Sequence, residues 1–226
     1  MIEVRGVGLQ FDRHPVLHDV DVTLSEQRIA IIGANGSGKS TFARLLNGLL
    51  LPTSGTVTVD GHDTRRAGRE VRKRVGFVFQ DPDLQIVMPT VAEDVAFGLK
   101  HHGVPRAEIA ARVATSLERF GLTALADRPA HLLSGGEKQL LAIASVTVLE
   151  PECIVFDEPT TSLDLRNRRR TWAVVAALPQ QAIVVTHDLE ATTGFDRALL
   201  FDGGRIVLDG PPKEAVLKYL ALLDGG

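Results

Sequence analysis

Gly33-Ala34-Asn35-Gly36-Ser37-Gly38-Lys39-Ser40 reads as G-x-x-x-x-G-K-[ST], a loop suited to holding phosphate. Its glycines let successive backbone N–H groups point inward, where side chains would block the approach. A helix after the loop adds its positive end. Lys39 brings a point charge to the outer phosphates, and Ser40 offers a hydroxyl to Mg²⁺. The candidate contact set is Asn35, Gly36, Ser37, Gly38, Lys39, Ser40 and Thr41. Further on, the apolar run Cys153-Ile154-Val155-Phe156 ends in Asp157 and Glu158. Asp157 suits Mg²⁺ held through water, and Glu158 suits polarising a hydrolytic water. The same pair also reads as a helix cap before Pro159.

Leu133-Ser134-Gly135-Gly136-Glu137-Lys138-Gln139 precedes that run by about one helix. Ser134 and Glu137 form a capping box, which by itself only starts a helix. Such a start is also an anion site by geometry, and Gly135 and Gly136 leave its N–H groups bare. Two phosphate readers in one chain are more than one nucleotide readily uses.

These groups need a scaffold, and the bulk properties bound it. The chain has 226 residues, 44% hydrophobic and 23% charged, which fits a large α/β domain with a subdomain and argues against disorder. A net charge of -3 argues against non-specific binding to nucleic acid. Cys153 sits in an apolar run and reads as a buried hydrophobe, which suits a reducing compartment. No segment approaches the roughly 18 consecutive apolar residues of a membrane span. The N-terminus lacks the layout of a signal peptide. The expected setting is therefore cytoplasmic, with any membrane contact made through a partner.

Arg28-Ile29-Ala30-Ile31-Ile32 predicts a buried parallel strand running into the phosphate loop. A helix from Lys39 should carry Phe42, Leu45, Leu46 and Leu49 on one side, with Gly48 near its end. Val75 to Phe79, Cys153 to Phe156 and Ala182 to Val185 predict further buried strands, with helices between them. That alternation predicts a mostly parallel sheet covered on both faces. Val20, Val22 and Leu24 alternate with polar residues, as do Val57 and Val59 before Asp60-Gly61, which predicts an antiparallel sheet. Between Gln80 and Leu149 the texture is helical. Thr90 to Glu93 is a capping box, Pro105 suits a first helical position, and Ile109, Val113, Leu117 and Phe120 precede Gly121 at helical spacing.

The three motifs in this order resemble the ATP-binding cassette family, and the resemblance covers the whole chain. It implies an α/β fold: a P-loop NTPase core with a mostly parallel sheet, an antiparallel β subdomain, and an inserted helical subdomain over about 81–149 of a single domain, 1–226. It implies ATP hydrolysis and two Mg-ATP sandwiched in a head-to-tail dimer, where Ser134, Gly135 and Gly136 complete the site of the other protomer. Asp164, in Ser162-Leu163-Asp164, matches the loop that links the two sites. His187, after the strand 182–185, matches the switch histidine that contacts the γ-phosphate and the attacking water. Gln80 matches the glutamine that reports the γ-phosphate and Mg²⁺ state. Phe11 matches the aromatic that stacks on adenine. Ser25-Glu26-Gln27-Arg28 departs from the family's usual Gly-Glu, which puts the local turn in question.

The run Gln80 to Gly98, with Leu46-Asn47-Gly48-Leu49, looks like the ATPases of energy-coupling-factor vitamin and metal importers. The short C-terminal part, with one helix predicted over 213–222, resembles the biotin-uptake branch; cobalt or nickel uptake stays open. Partners implied are a second ATPase protomer, a transmembrane coupling subunit docking near Gln80 to Asp94, and through it a substrate-binding membrane subunit. Asp81, Asp83, Glu93 and Asp94 surround Leu84, Ile86, Val87 and Met88, an acidic rim suited to a basic partner helix or simply a solvated loop. The resulting expectation is a peripheral ATPase on the cytoplasmic face of the membrane. Two other readings are a soluble cassette ATPase acting on DNA or ribosomes, and a regulatory ATP-binding module without turnover.

Overall fold

A computed structural model describes residues 1–224. The chain opens with strands β1 (Ile2–Phe11) and β2 (His14–Leu24), paired antiparallel. Asp12 and Arg13 turn between them with φ of 45° and 71°, the left-handed pair that suits a right-twisted hairpin. Next come β3 (Arg28–Gly33) and helix α1 (Lys39–Leu46), then β4 (Ser54–Val59) and β5 (His62–Asp63) around the expected Asp60-Gly61 turn. The first sheet has the order β2-β1-β4-β5 and is antiparallel throughout.

Helix α2 (Gly68–Arg74) leads to β6 (Val75–Val78). Helices α3 (Val91–His101), α4 (Arg106–Phe120) and α5 (Gly135–Thr147) follow. The chain then alternates through β7 (Cys153–Asp157), α6 (Leu165–Ala177) and β8 (Gln181–Val185), and ends in β9 (Arg197–Asp202), β10 (Arg205–Gly210) and α7 (Pro212–Asp224). The second sheet has the order β10-β9-β3-β8-β7-β6, parallel except for β9 with β10.

Both faces of that sheet are buried, which is why its strands read as unbroken apolar runs. Ile29, Ile31 and Val155 join Phe42, Leu45 and the antiparallel sheet in one core. Ile154, Phe156 and Val184 point the other way, against Val95, Leu99 and Leu140 of the helices. Cys153 is buried in the first core, and desolvation pushes its thiol up to about 12, so it is inert packing.

Some boundaries shift. Helix α1 stops at Leu46, Gly48 turns at φ 72°, and Leu49 lies beyond the helix, 42% exposed, so it does not share the buried side with Phe42. Pro105 caps α4 instead of entering it. Phe79 falls just past β6. The unusual 25–28 segment makes specific contacts: the Gln27 amide donates to Pro179 O at 2.7 Å, and the Arg28 guanidinium to Ala176 O, Leu178 O and Gln180 O. Arg28 thereby satisfies carbonyls at the end of α6 that the helix leaves without partners.

Asp94 corrects the acidic-rim reading. It is buried, and its carboxylate accepts from Val87 N at 2.9 Å, Met88 N at 3.1 Å and Ser145 Oγ at 2.8 Å. Glu93 is likewise engaged, closing the capping box with Thr90. Asp94→Ala should destabilise the fold by about 1–3 kcal/mol, because it removes a buried acceptor shared by three part-buried donors. Urea unfolding reads this directly; a loss below about 0.5 kcal/mol, the level of ordinary surface changes, would show that the 87–88 backbone is held by other means.

Candidate functional site

The phosphate loop leaves β3 at Gly33. Its φ is 144°, and a Cβ there would stand 2.1 Å from Phe201 O, so only glycine fits. Gly36, at φ 78°, faces open space. Lys39 begins α1 and is buried. Its Nζ donates to Gly33 O at 2.8 Å and Ala34 O at 2.7 Å. Burial lowers its pKa, while the charges of Glu158 and Asp157 pull the other way.

Asp157 ends β7, almost wholly buried. It accepts from Ser40 Oγ at 2.6 Å and from Arg44 Nη2 at 3.4 Å. Arg44 stands in none of the sequence motifs; its position one turn after Ser40 on α1 was the available signal. Among the described residues no group of three or more His, Cys, Asp or Glu stands ready to hold an ion. A serine hydroxyl beside one carboxylate is instead the oxygen set that suits Mg²⁺, which is commonly held by one or two side chains together with phosphates.

Glu158 follows in the left-handed region, at φ 52°, with its N–H bonded to Val185 O at 3.0 Å. A non-glycine residue held there costs about 1–3 kcal/mol, and such strain concentrates at functional sites. The turn directs its carboxylate to His187, whose Nδ1 lies 2.7 Å from Oε2, and to Thr161 Oγ1 at 3.4 Å. The His187 side chain is 63% exposed. Val16, Asn35, Gly36, Gly38, Lys39, Ser40, Thr41, Gln80, Glu158, Thr161 and His187 line one cleft of about 370 Å³. Phosphate loop, carboxylate, histidine and Gln80 therefore converge although they are far apart in sequence. Ser37 is buried beside them. Phe11 lies outside the lining, exposed at the end of β1, and β2 contributes Val16 instead.

Ser134 caps α5. Its N–H and hydroxyl donate to Glu137 Oε2 at 2.7 and 2.8 Å, and these bonds hold the Glu137 carboxyl below its ordinary value. The two glycines have different reasons. A Cβ on Gly136 would meet the Asn167 side chain at 2.3 Å, so that glycine serves packing against α6. Gly135 has only Leu163 near it, at 3.8 Å, and is the bare one. Asp164 caps α6, accepting from Asn167 N at 2.8 Å and Asn167 Nδ2 at 2.9 Å, which lowers its pKa. Gly135, Lys138, Gln139, Ser162 and Leu163 line a second cavity, of about 380 Å³, with Gln80 to Asp83 and Thr161. Ser134 to Gly136 thus stand apart from the cleft of their own phosphate loop, and Gln80 and Thr161 border both cavities.

Residues 17–161 match the ABC transporter family. The chain is 49% identical over 218 residues to the biotin transport ATP-binding protein BioM of Rhizobium etli, covering 96% of this chain and 97% of that protein. It is 46% identical over 221 residues to the cobalt import ATP-binding protein CbiO of Syntrophus aciditrophicus, covering 94% and 79%. The solved structure of cbiO1 from Clostridium perfringens, part of the ABC transporter complex cbiONQ, superimposes with a TM-score of 0.85 at 33% identity over 98% of this chain and 93% of that one.

Proposed function

We propose that this chain, which belongs to the ABC transporter family and is an ATPase, energises an importer of the energy-coupling-factor type whose substrate is biotin. The convergence of Glu158 and His187 on the phosphate-loop cleft carries the hydrolytic part of the reading. The extended identity to a biotin transport ATP-binding protein supports the substrate.

In this reading Asn35 to Thr41 cradle the phosphates of ATP. Ser40, Asp157 and Gln80 would hold Mg²⁺, which would supply charge neutralisation for the outer phosphate oxygens. Lys39 exchanges the carbonyls of Gly33 and Ala34 for phosphate oxygen. Glu158 takes the proton of the attacking water, and His187 steadies that water and the γ-phosphate. Phe11 stacks on the adenine from the hairpin tip. Ser134, Gly135 and Gly136 read the nucleotide of a second copy in a head-to-tail homodimer, and Asp164 links the two sites. Closure moves a transmembrane coupling subunit, and through it a substrate-binding membrane subunit. The chain sits peripherally on the cytoplasmic face and binds no nucleic acid. Among the described residues no helix is long and apolar enough to cross a membrane.

The docking surface is the helical subdomain, 81–149, near Gln80 to Asp94. Asp83 is paired with Lys138 at 2.7 Å, whereas the Asp81 carboxylate accepts from the neutral Asp83 N–H at 2.9 Å, which leaves its charge uncompensated. Leu84 and Val87, 73% and 61% exposed, are the sharper probe. Leu84→Glu should abolish co-purification of a multi-spanning membrane protein and uptake of labelled biotin, with ATP affinity unchanged. Uptake of cobalt or nickel in place of biotin would overturn the substrate. Co-purification of DNA or ribosomes would favour the soluble reading.

A further inference from the structure

The loop that carries His187 is fastened to α6 at both ends by one side chain. Strand β8 ends at Val185 and β9 begins only at Arg197. The His187 side chain is exposed, and its contact is with the Glu158 carboxylate. The next residue is held from several directions. Asp188 N donates to Thr186 Oγ1 at 3.0 Å. Asp188 Oδ1 accepts from Ala191 N at 3.3 Å, closing the loop's own turn. Its Oδ2 accepts from the indole Nε1–H of Trp172 at 3.1 Å and lies 3.7 Å from Nε of Arg168. The same indole meets the ring of Phe195, at the far end of the loop, edge-on with centroids 6.3 Å apart.

Trp172 and Arg168 stand one turn apart on α6. The start of that helix is bound to the other half of the site. Asp164 caps it, and Asn167 in its first turn both donates to Asp164 and fills the space beside Gly136. A rigid element thus runs from the Gly135-Gly136 helix start to the residue next to His187. Neither Trp172 nor Asp188 lines the phosphate-loop cleft.

We infer that the Trp172–Asp188 clasp, with Arg168 beside it, is a positioning device that sets His187 against Glu158 and makes their separation follow α6. It rests on the reading in which these two residues serve hydrolysis. The histidine ring rotates about its own side-chain bonds, but the backbone decides where it reaches, and Asp188 sets that backbone. Displacements of about 1 Å from productive geometry cost up to about 10²-fold in rate.

The test uses the 226-residue chain with Mg-ATP. Trp172→Phe keeps an aromatic ring near Phe195 and removes the N–H together with part of the indole's volume. It should lower kcat roughly tenfold, KM should stay within about twofold, and ATP-trapped dimer should form as before in a Glu158→Gln background. Asp188→Asn still offers an amide oxygen to the indole and should keep most of the rate, whereas Asp188→Ala should lose at least as much as Trp172→Phe. Phe195→Leu, which breaks only the ring contact, controls for stability. A similar fall in kcat there, wild-type kcat in Trp172→Phe, or joint loss of kcat and dimer formation overturns the clasp. A wild-type chain without turnover overturns the hydrolytic reading and the clasp with it.

Discussion

Glu158→Gln is expected to reduce steady-state ATP turnover roughly 10²–10⁴-fold, the range that a positioned general base supplies. The substitution preserves shape. A glutamine at φ 52° occupies the same turn, and its amide oxygen still lies within reach of His187 Nδ1. What it lacks is the ability to take a proton from water. Lys39, Ser40 and the loop N–H groups are untouched, so ATP binding should persist. Because binding continues without turnover, the nucleotide should accumulate in a closed dimer, visible by size-exclusion chromatography as an ATP-dependent shift. The variant isolates chemistry from binding, since loss of an interaction made only in the transition state lowers kcat and leaves ground-state affinity alone. Near-normal ATPase activity in Glu158→Gln, measured in the assembled transporter, would remove Glu158 from the hydrolytic role.

The second large effect concerns Ser134. Ser134→Arg should leave ATP affinity of the monomer within about twofold of wild type and abolish ATP-induced dimerisation. Ser134 to Gly136 do not line the cleft that holds the chain's own phosphate loop, so the monomer has no use for them there. Across a head-to-tail interface the bare N–H groups at the start of α5 would face the other nucleotide, and a bulky cation would fill that space. Ser134 also caps α5, and losing the cap costs about 1 kcal/mol. Ser134→Ala provides the comparison: it loses the cap and the hydroxyl without adding bulk, and should weaken ATP-induced dimerisation less than the arginine variant does. Loss of ATP binding in the isolated Ser134→Arg monomer would falsify the role in trans. Lys39→Ala, by contrast, should weaken binding in the monomer itself, because Lys39 lines its own cleft.

Much of this site was readable because its chemistry is written in contiguous runs. A loop that cradles phosphate needs small residues, a lysine and a hydroxyl at adjacent positions, so Gly33 to Ser40 announce themselves without a fold. Strands buried on both faces must be unbroken apolar runs, so β3, β7 and β8 stood out as well. Capping boxes are local by construction, and those at Thr90 and Ser134 form as their spacing demands. The Asp60-Gly61 turn is local in the same sense.

Other properties belong to no single run, and only the tertiary structure decides them. Asp94 looks like surface charge in a list of acidic residues, yet the fold turns it inward onto the 87–88 backbone. Gly135 and Gly136 are chemically identical neighbours, and only the approach of Asn167 gives the second a packing role. Leu49 continues the helical spacing of Phe42 and Leu45, but Gly48 turns the chain before it and leaves it exposed. Arg44 meets Asp157 across 113 residues of chain, and Trp172 meets Asp188 because α6 lies alongside the loop after β8. Local propensity and periodicity specify which residues share an element and a face. Which faces meet depends on how the sheet and helices pack, and a contact between distant residues leaves no mark in either residue's own neighbourhood. The nucleotide-binding chemistry of this protein was therefore determined by sequence in its parts, and the placement of Glu158, His187 and Gln80 around one cleft was determined by the packing that brings β6, β7 and β8 side by side.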